Sequence, residues 1–321
     1  MKILITGAAG FIGYNFCKYL LNKTNYEVYG IDNLNNYYDV KIKKNRLKIL
    51  KKSKNFKFKK LDIRDNHPLE ITFRKNKFDF VFNLAAQAGV RYSIKYPRKY
   101  IDSNIAGFFN IIENSKKYNV KRLFYASSSS VYGENNNFPL DEKEMINPKN
   151  IYALSKKINE EMAEIFSKQY NISFIGLRFF TVYGQWGRPD MFMMKYLTSS
   201  YNPTKKFYLN NFGNHTRDFT YIDDVCEIIK NLIYSKKNKV KHEIYNICSN
   251  RPVKLISVIN DINVITNQNP KIFKRGLQKA DVVKTHGSNK KVLSLIGKKK
   301  FTQLKKGLKN TIQWYKKYYN Y

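Results

Sequence analysis

The sequence predicts an α/β protein built on a doubly wound parallel sheet, with a smaller mixed α/β C-terminal lobe beyond it. Three observations carry that expectation. Short apolar, strand-like runs alternate with helix-like segments from Lys2 to Phe180, the pattern of parallel strands joined by crossover helices. A glycine-rich turn, Gly7-Ala8-Ala9-Gly10-Phe11-Ile12-Gly13, follows the first run at once. A chain of 321 residues that is 43% hydrophobic can bury a large core, which excludes a disordered protein and points to one large domain plus a smaller one.

The first strand, Lys2 to Thr6, leads through the glycine turn into a helical stretch ending near Leu21. Glycines there let the backbone approach a pyrophosphate, whose charge sits at the helix N-terminus. Gly7, Gly10, Phe11, Ile12 and Gly13 are therefore candidate cofactor contacts. A second strand, Glu27 to Ile31, ends in Asp32 and Asn33, roughly 20 residues after the last glycine, where a carboxylate accepts from the adenosine ribose hydroxyls. Asp32 also repels a 2′-phosphate, so NAD is expected rather than NADP. The basic run Lys41 to Lys60 reads as a solvated helix face more readily than as a nucleic-acid patch.

A third strand, Phe56 to Leu61, delivers Asp62 and Ile63 as candidate adenine contacts, with a turn cap as the structural alternative for Asp62. The fourth, Phe78 to Phe82, runs into Asn83-Leu84-Ala85-Ala86-Gln87-Ala88-Gly89-Val90-Arg91-Tyr92-Ser93. Small residues at a strand's C-terminal end permit close approach of a cofactor. Arg91 is either a ligand contact or a surface cation. Helix Tyr100 to Tyr118 carries Ile101, Ile105, Phe108, Phe109, Ile111 and Ile112, apolar around more than one face; the surplus suggests a helix-pair homodimer interface.

The apolar strand Leu123 to Ala126 is followed by Ser127-Ser128-Ser129-Ser130, and a helix start after Pro148 carries Tyr152-Ala153-Leu154-Ser155-Lys156. Tyr152 and Lys156, four apart, share one helix face. A phenol has a pKa of about 10, and a neighbouring ammonium lowers it, so its oxygen can take a proton from a sugar alcohol near neutral pH. Ser128 would share that proton and orient the substrate oxygen. The same Tyr-x-x-x-Lys spacing recurs at Tyr14, Tyr19, Tyr37 and Tyr201, so the serine run and the helix start single out Tyr152. Core packing is expected for Ile158, Met162, Ile165 and Phe166 of the helix Tyr152 to Tyr170.

Strand Ile172 to Phe180 ends in a loop, Thr181 to Asp190, that leaves the sheet. His215 to Val225 opens another helix, and Arg217 within it suits a diphosphate because its guanidinium fork matches phosphate oxygens. Beyond Arg251 a mixed segment closes on helix Leu304 to Tyr319 as a substrate-covering lobe. The expected division is residues 1–180, with a return segment near 217–248, for the cofactor, and 181–216 with 249–321 for the substrate.

Cys17, Cys226 and Cys248, and the four histidines, fall at spacings that suit neither a disulfide framework nor a metal site. The formal charge of +35 is spread through almost every segment, so an anionic small substrate is expected and a nucleic acid is not. With no apolar run of about 18 residues and no signal peptide before the first strand, a cytoplasmic protein without a membrane anchor is expected.

Taken together, Gly7-x-x-Gly10-x-x-Gly13, the Leu84 to Ser93 segment, Tyr100-Ile101-Asp102-Ser103-Asn104, Phe179-Phe180-Thr181-Val182-Tyr183-Gly184, Gly187-Arg188-Pro189-Asp190-Met191 and Arg217 to Asp224 resemble the extended short-chain dehydrogenase/reductases. The likeness is to their NAD-dependent nucleotide-sugar epimerase family, nearest the bacterial UDP-glucuronate 4-epimerase branch. The resemblance implies a Rossmann domain, bound NAD and a UDP-sugar substrate. It implies catalytic roles for Ser128, Tyr152 and Lys156, with Lys156 also holding the nicotinamide ribose, and adds Leu84, Ala85, Ala86 and Asn104 to the cofactor set. Substrate contacts would come from Gln87, Arg91, Ser93, Ser129, Thr181, Arg188, Arg217 and Asp281. Ser129-Ser130 stand where related 4,6-dehydratases carry Asp-Glu, so dehydration is not expected. Epimerisation would pass through a transient 4-keto sugar.

Overall fold

Ile3, Leu4 and Ile5 in the first strand are all fully buried, and successive side chains on a strand point to opposite faces. Ile3 and Ile5 pack in one core cluster and Leu4 in the other, so the strand is covered on both sides, as parallel strands joined by helices must be. The computed structural model describes residues 1–170, 172–235 and 242–321. It opens with β1 (Lys2–Thr6), α1 (Phe11–Lys23), β2 (Glu27–Asp32), α2 (Val40–Leu50), β3 (Phe56–Lys60), α3 (Asn66–Asn76) and β4 (Phe80–Asn83). There follow α4 (Val90–Lys95), α5 (Pro97–Tyr100), a π-helical turn (Ile101–Ala106), α6 (Gly107–Lys117), β5 (Arg122–Ser128), α7 (Ile151–Gln169) and β6 (Ser173–Phe179). The remainder comprises β7 (Thr181–Tyr183), α8 (Phe192–Tyr201), β8 (Phe207–Leu209), β9 (Thr216–Tyr221), α9 (Ile222–Tyr234), β10 (His242–Ile247), β11 (Pro252–Lys254), α10 (Leu255–Thr266), β12 (Ile272–Lys274), α11 (Lys290–Ile296) and α12 (Leu304–Tyr319).

Seven strands pair in the order β3-β2-β1-β4-β5-β6-β10, all parallel. The doubly wound sheet expected from the sequence is therefore present, and β10 returns to its edge after the chain has visited the smaller lobe. That lobe holds a three-stranded sheet, β11-β9-β7, and a β8-β12 pair. The two systems part at Phe180, whose N–H donates to the Ile247 carbonyl at 3.2 Å before β7 pairs with β9. Thr181 is carried to the mouth of the large sheet by that split.

Four expectations need correction. Ile165, expected in the core, is exposed on α7. Arg217, expected where a helix opens, lies in β9, and α9 starts only at Ile222. The helix expected from Tyr100 to Tyr118 is interrupted: residues Ile101–Ala106 form a π-helical turn between α5 and α6. The widened turn leaves the Asn104 carbonyl to accept from Asn159 Nδ2 at 2.6 Å; π-turns of this kind recur at functional sites. The basic run Lys41 to Lys60 is not one solvated face. It divides into α2 and β3, and Lys43 and Arg46 are buried within it, because Lys43 turns into the cleft described next and Arg46 onto the Ala9 and Trp186 carbonyls.

Candidate active site

A cleft of about 430 Å³ runs along the C-terminal ends of β1 to β6, the position where open α/β sheets bind ligands. Its floor begins at the glycine turn. Gly7 has a φ of +67°, and a Cβ on Gly13 would collide with the Gly7 carbonyl oxygen, so both positions need glycine for the sharp passage from β1 into α1. No side chain caps α1. Its first-turn residues Phe11, Ile12 and Gly13 line the cleft with N–H groups suited to a phosphate.

Asp32 stands at the end of β2 with Oδ2 accepting from the Ala9 N–H at 3.0 Å and Oδ1 from the Leu34 N–H at 2.8 Å. Burial raises its pKa, and the Lys43 charge pulls it partly back. Asn33 donates to Asp62 Oδ2 at 2.8 Å, while Asp62 Oδ1 accepts from the Arg64 N–H at 3.0 Å; Asp62 thus caps a turn and also lines the cleft with Ile63, Leu84, Ala85 and Ala86. The uncapped helix start, the anchored carboxylate and the small-residue wall fit an adenine dinucleotide.

At the far end, Ser128, Ser129, Tyr152, Lys156, Thr181 and Arg188 all line the cleft. Asn150 caps α7 by accepting from the Ala153 N–H at 2.9 Å, which sets Tyr152 in the first turn and Lys156 one turn on. Ser128 Oγ accepts from the Ser130 N–H at 3.1 Å, fixing the hydroxyl at the end of β5. Lys156 Nζ donates to the Ala126 carbonyl at 2.7 Å, and burial lowers its pKa to about 8, Glu160 opposing. Burial also raises the Tyr152 phenol, and the Ser128 hydroxyl and Arg188 charge pull it back in part. The expected lowering of the phenol by Lys156 is thus corrected: burial dominates, and the cation that offsets it is Arg188.

The structure does not bring every candidate into the cleft. Ser93 is buried and donates to the Val90 carbonyl at 2.6 Å, closing the first turn of α4. Arg91 pairs with Asp281, and Arg217 spends its Nη donors on the Thr216, Val282 and Val283 carbonyls; these three residues form a cluster outside the cleft lining. Asn104 sits behind the wall. Its Oδ1 accepts from the Gln87 N–H at 2.8 Å and its Nδ2 donates to the Gln87 carbonyl at 3.1 Å and to Ser155 Oγ at 3.0 Å, tying the Gln87 segment to α7.

Sequence reasoning missed several participants. Tyr37 and Asp190 meet across the cleft mouth. Arg46 donates to the Ala9 carbonyl at 2.7 Å and the Trp186 carbonyl at 2.5 Å, bridging the glycine turn to the Arg188 loop. Glu160 and Arg178 form a buried pair behind Lys156. Only Glu160 had a signal, its spacing of one helical turn from Lys156.

Among the described residues no group of side chains suits a metal ion, and no helix is long and apolar enough to cross a membrane. Protein CapI of Staphylococcus aureus is 41% identical over 99% of both chains. A probable UDP-glucuronate 4-epimerase of Rhizobium meliloti is 34% identical, over 99% of this chain and 98% of its own. The crystal structure of the Bacillus cereus UDP-glucuronic acid 4-epimerase, with UDP-glucuronic acid and NAD, superposes with a TM-score of 0.94 at 29% identity, covering 99% of this chain and 100% of that one. The model of the NAD dependent epimerase/dehydratase family matches residues 3–248, and with relatives above 30% identity along nearly the whole length, the chain belongs to that family.

Proposed function

We propose that this protein is an NAD-dependent UDP-glucuronate 4-epimerase, interconverting UDP-glucuronate and UDP-galacturonate. The observation that carries the reading is the placing of Arg188 and Thr181 in the same cleft as Ser128, Tyr152 and Lys156: a cation beside the proton-handling groups suits a sugar carboxylate. Residues 1–180 with 217–248 are read as the NAD-holding part, and 181–216 with 249–321 as the sugar-nucleotide part.

Bound NAD supplies the hydride acceptor and later donor, and its cationic nicotinamide further favours tyrosinate. Gly7, Gly10, Phe11, Ile12 and Gly13 would hold its pyrophosphate, Asp32 and Asn33 its ribose, Asp62 and Ile63 its adenine. Tyr152 takes the proton from the sugar 4-hydroxyl, with Ser128 orienting that oxygen, and returns it after the 4-keto sugar has turned over in the cleft. The Arg91–Asp281–Arg217 cluster would receive the uridine diphosphate. The intermediate is a β-keto acid: if its C5–C6 bond aligns with the carbonyl π system, that bond breaks, its electrons form the enolate, carbon dioxide leaves and C5 takes a proton. Arg188 and Thr181 hold the carboxylate out of that alignment.

Incubation of the purified protein with UDP-glucuronate and no added NAD tests the reading; UDP-galacturonate is expected. Arg188→Ala should raise the pentose-to-galacturonate ratio by roughly 30-fold, the worth of a charged hydrogen bond, and an unchanged ratio with retained turnover would exclude this role. The ion pair of Arg188 with Asp190 leaves the pocket with no net charge there, which favours a neutral UDP-sugar as second reading; turnover of UDP-glucose but not UDP-glucuronate would establish it. Ile101 and Phe109, with Leu154 and Ile165 of α7, remain exposed. We infer a homodimer through this face, to be checked as twice 38.0 kDa by light scattering. Three buried free cysteines suit a reducing compartment, and we assign the cytoplasm.

A further inference from the structure

Arg188 reaches the cleft already engaged on one side. Its Nε donates to Asp190 Oδ1 at 3.0 Å and its Nη2 to Asp190 Oδ2 at 2.7 Å, a side-on fork that uses one edge of the guanidinium. Nη1, on the other edge, has no protein hydrogen-bond partner among the described residues, although Arg188 lines the cleft. Asp190 is itself held from the opposite wall. The Tyr37 hydroxyl, from the segment that follows Asp32, donates to Asp190 Oδ2 at 3.0 Å, and its ring lies 5.8 Å from the Arg188 guanidinium carbon.

Tyr37 is fixed in turn. Its ring meets Tyr92 edge-on, with centroids 4.8 Å apart, and its hydroxyl fills the space a Cβ would take at Gly89, whose φ is +99°. Burial opposes ionisation of Asp190, but Arg188 and the Tyr37 hydroxyl hold its pKa below the ordinary carboxylate value. Burial and Asp190 raise the Tyr37 phenol. At neutral pH the three groups are a cation, an anion and a neutral donor.

We propose that Asp190 is the positioning residue of the carboxylate pocket: by occupying the Nε/Nη2 edge of Arg188, with Tyr37 bracing it from the cofactor side, it turns the free Nη1 edge toward the sugar carboxylate. The proposal rests on the UDP-glucuronate reading. It makes product fidelity depend on two residues that need not touch the sugar. It also links the ribose-side segment to the substrate loop across the cleft.

The test compares Asp190→Asn and Tyr37→Phe with the wild type on UDP-glucuronate, measuring UDP-galacturonate, pentose product, kcat and KM separately. Asp190→Asn should raise the pentose-to-galacturonate ratio about tenfold and Tyr37→Phe about threefold, since each loosens rather than removes the guanidinium. A general loss of stability would lower turnover without changing that ratio. An unchanged ratio in both variants overturns the proposal. So does a lower KM for UDP-glucuronate in Asp190→Asn with the ratio unchanged, which would make Asp190 only a competing anion. Should Asp190→Asn fail to retain NAD, Tyr37→Phe decides alone. A wild type that forms no UDP-galacturonate refutes the substrate reading itself, a distinct result with which the proposal also falls.

Discussion

Tyr152→Phe is expected to lower kcat for UDP-glucuronate about 10³-fold, within the usual range for removing a positioned acid–base group, while NAD stays bound. The ring survives the change, and with it the edge-on contact to Tyr100, centroids 6.1 Å apart; only the proton acceptor is lost. The same assignment fixes the pH dependence. Abstraction of the sugar proton needs the Tyr152 phenolate, and burial holds the phenol above its ordinary value while the Ser128 hydroxyl and the Arg188 charge draw it back in part. The nicotinamide charge draws it down further, so the wild-type kcat/KM should rise with pH through the neutral range. Tyr152→Phe should flatten that rise. A wild-type profile that falls between about pH 6 and 8 would remove Tyr152 from the role of base.

Glu160→Ala should destabilise the protein by about 3–5 kcal/mol, the usual cost of stripping one partner from a buried ion pair. Arg178 donates to both Glu160 oxygens, at 2.8 and 2.7 Å, and its Nη1 reaches the Tyr132 hydroxyl at 2.9 Å. Ser127 also donates to Glu160, at 2.5 Å. Removing the carboxylate leaves a guanidinium that water cannot reach. Thermal unfolding followed by circular dichroism should show a fall in Tm of roughly 5–10 °C. Replacing both partners, as Glu160→Leu with Arg178→Met, should cost less than the single change, because no charge is then stranded. A double variant at least as unstable as Glu160→Ala would contradict this account. The pair also bears on chemistry: Glu160 is the charge that opposes the lowering of Lys156.

Local pattern made most of the fold legible. β1, the end of β2 at Asp32, α7 and α12 fall within a residue or two of where apolar period and flanking residues place them, because each is a short run with a marked start or stop. The π-turn in Ile101–Ala106 was not legible: it depends on Asn104 meeting Gln87, Ser155 and Asn159, contacts far apart in sequence. Lys43 and Arg46 misled for a similar reason. A lysine and an arginine in a basic run read as solvated, and only the folded loop supplies the Asn35, Ala9 and Trp186 oxygens that bury them. The proton-handling residues and the glycine turn were readable from spacing. Tyr37 and Asp190 were not, since their meeting depends on the smaller lobe folding back over the large sheet.

The late return of β10 to the large sheet has a topological consequence. The strand beside β6 is supplied only after the chain has built β7, α8, β8, β9 and α9, so neither lobe is a continuous length of polypeptide. A chain ending at Phe180 would present β6 as a bare edge, its Phe174–Phe179 backbone lacking the strand that pairs with it, a template for aggregation. The lobes are therefore interlocked rather than tethered, and the return to the sheet is a long-range pairing of the kind that slows folding. Melting the smaller lobe would leave β10 joined to its sheet only through a long unfolded loop, at an entropic cost, so the two should unfold as one cooperative unit.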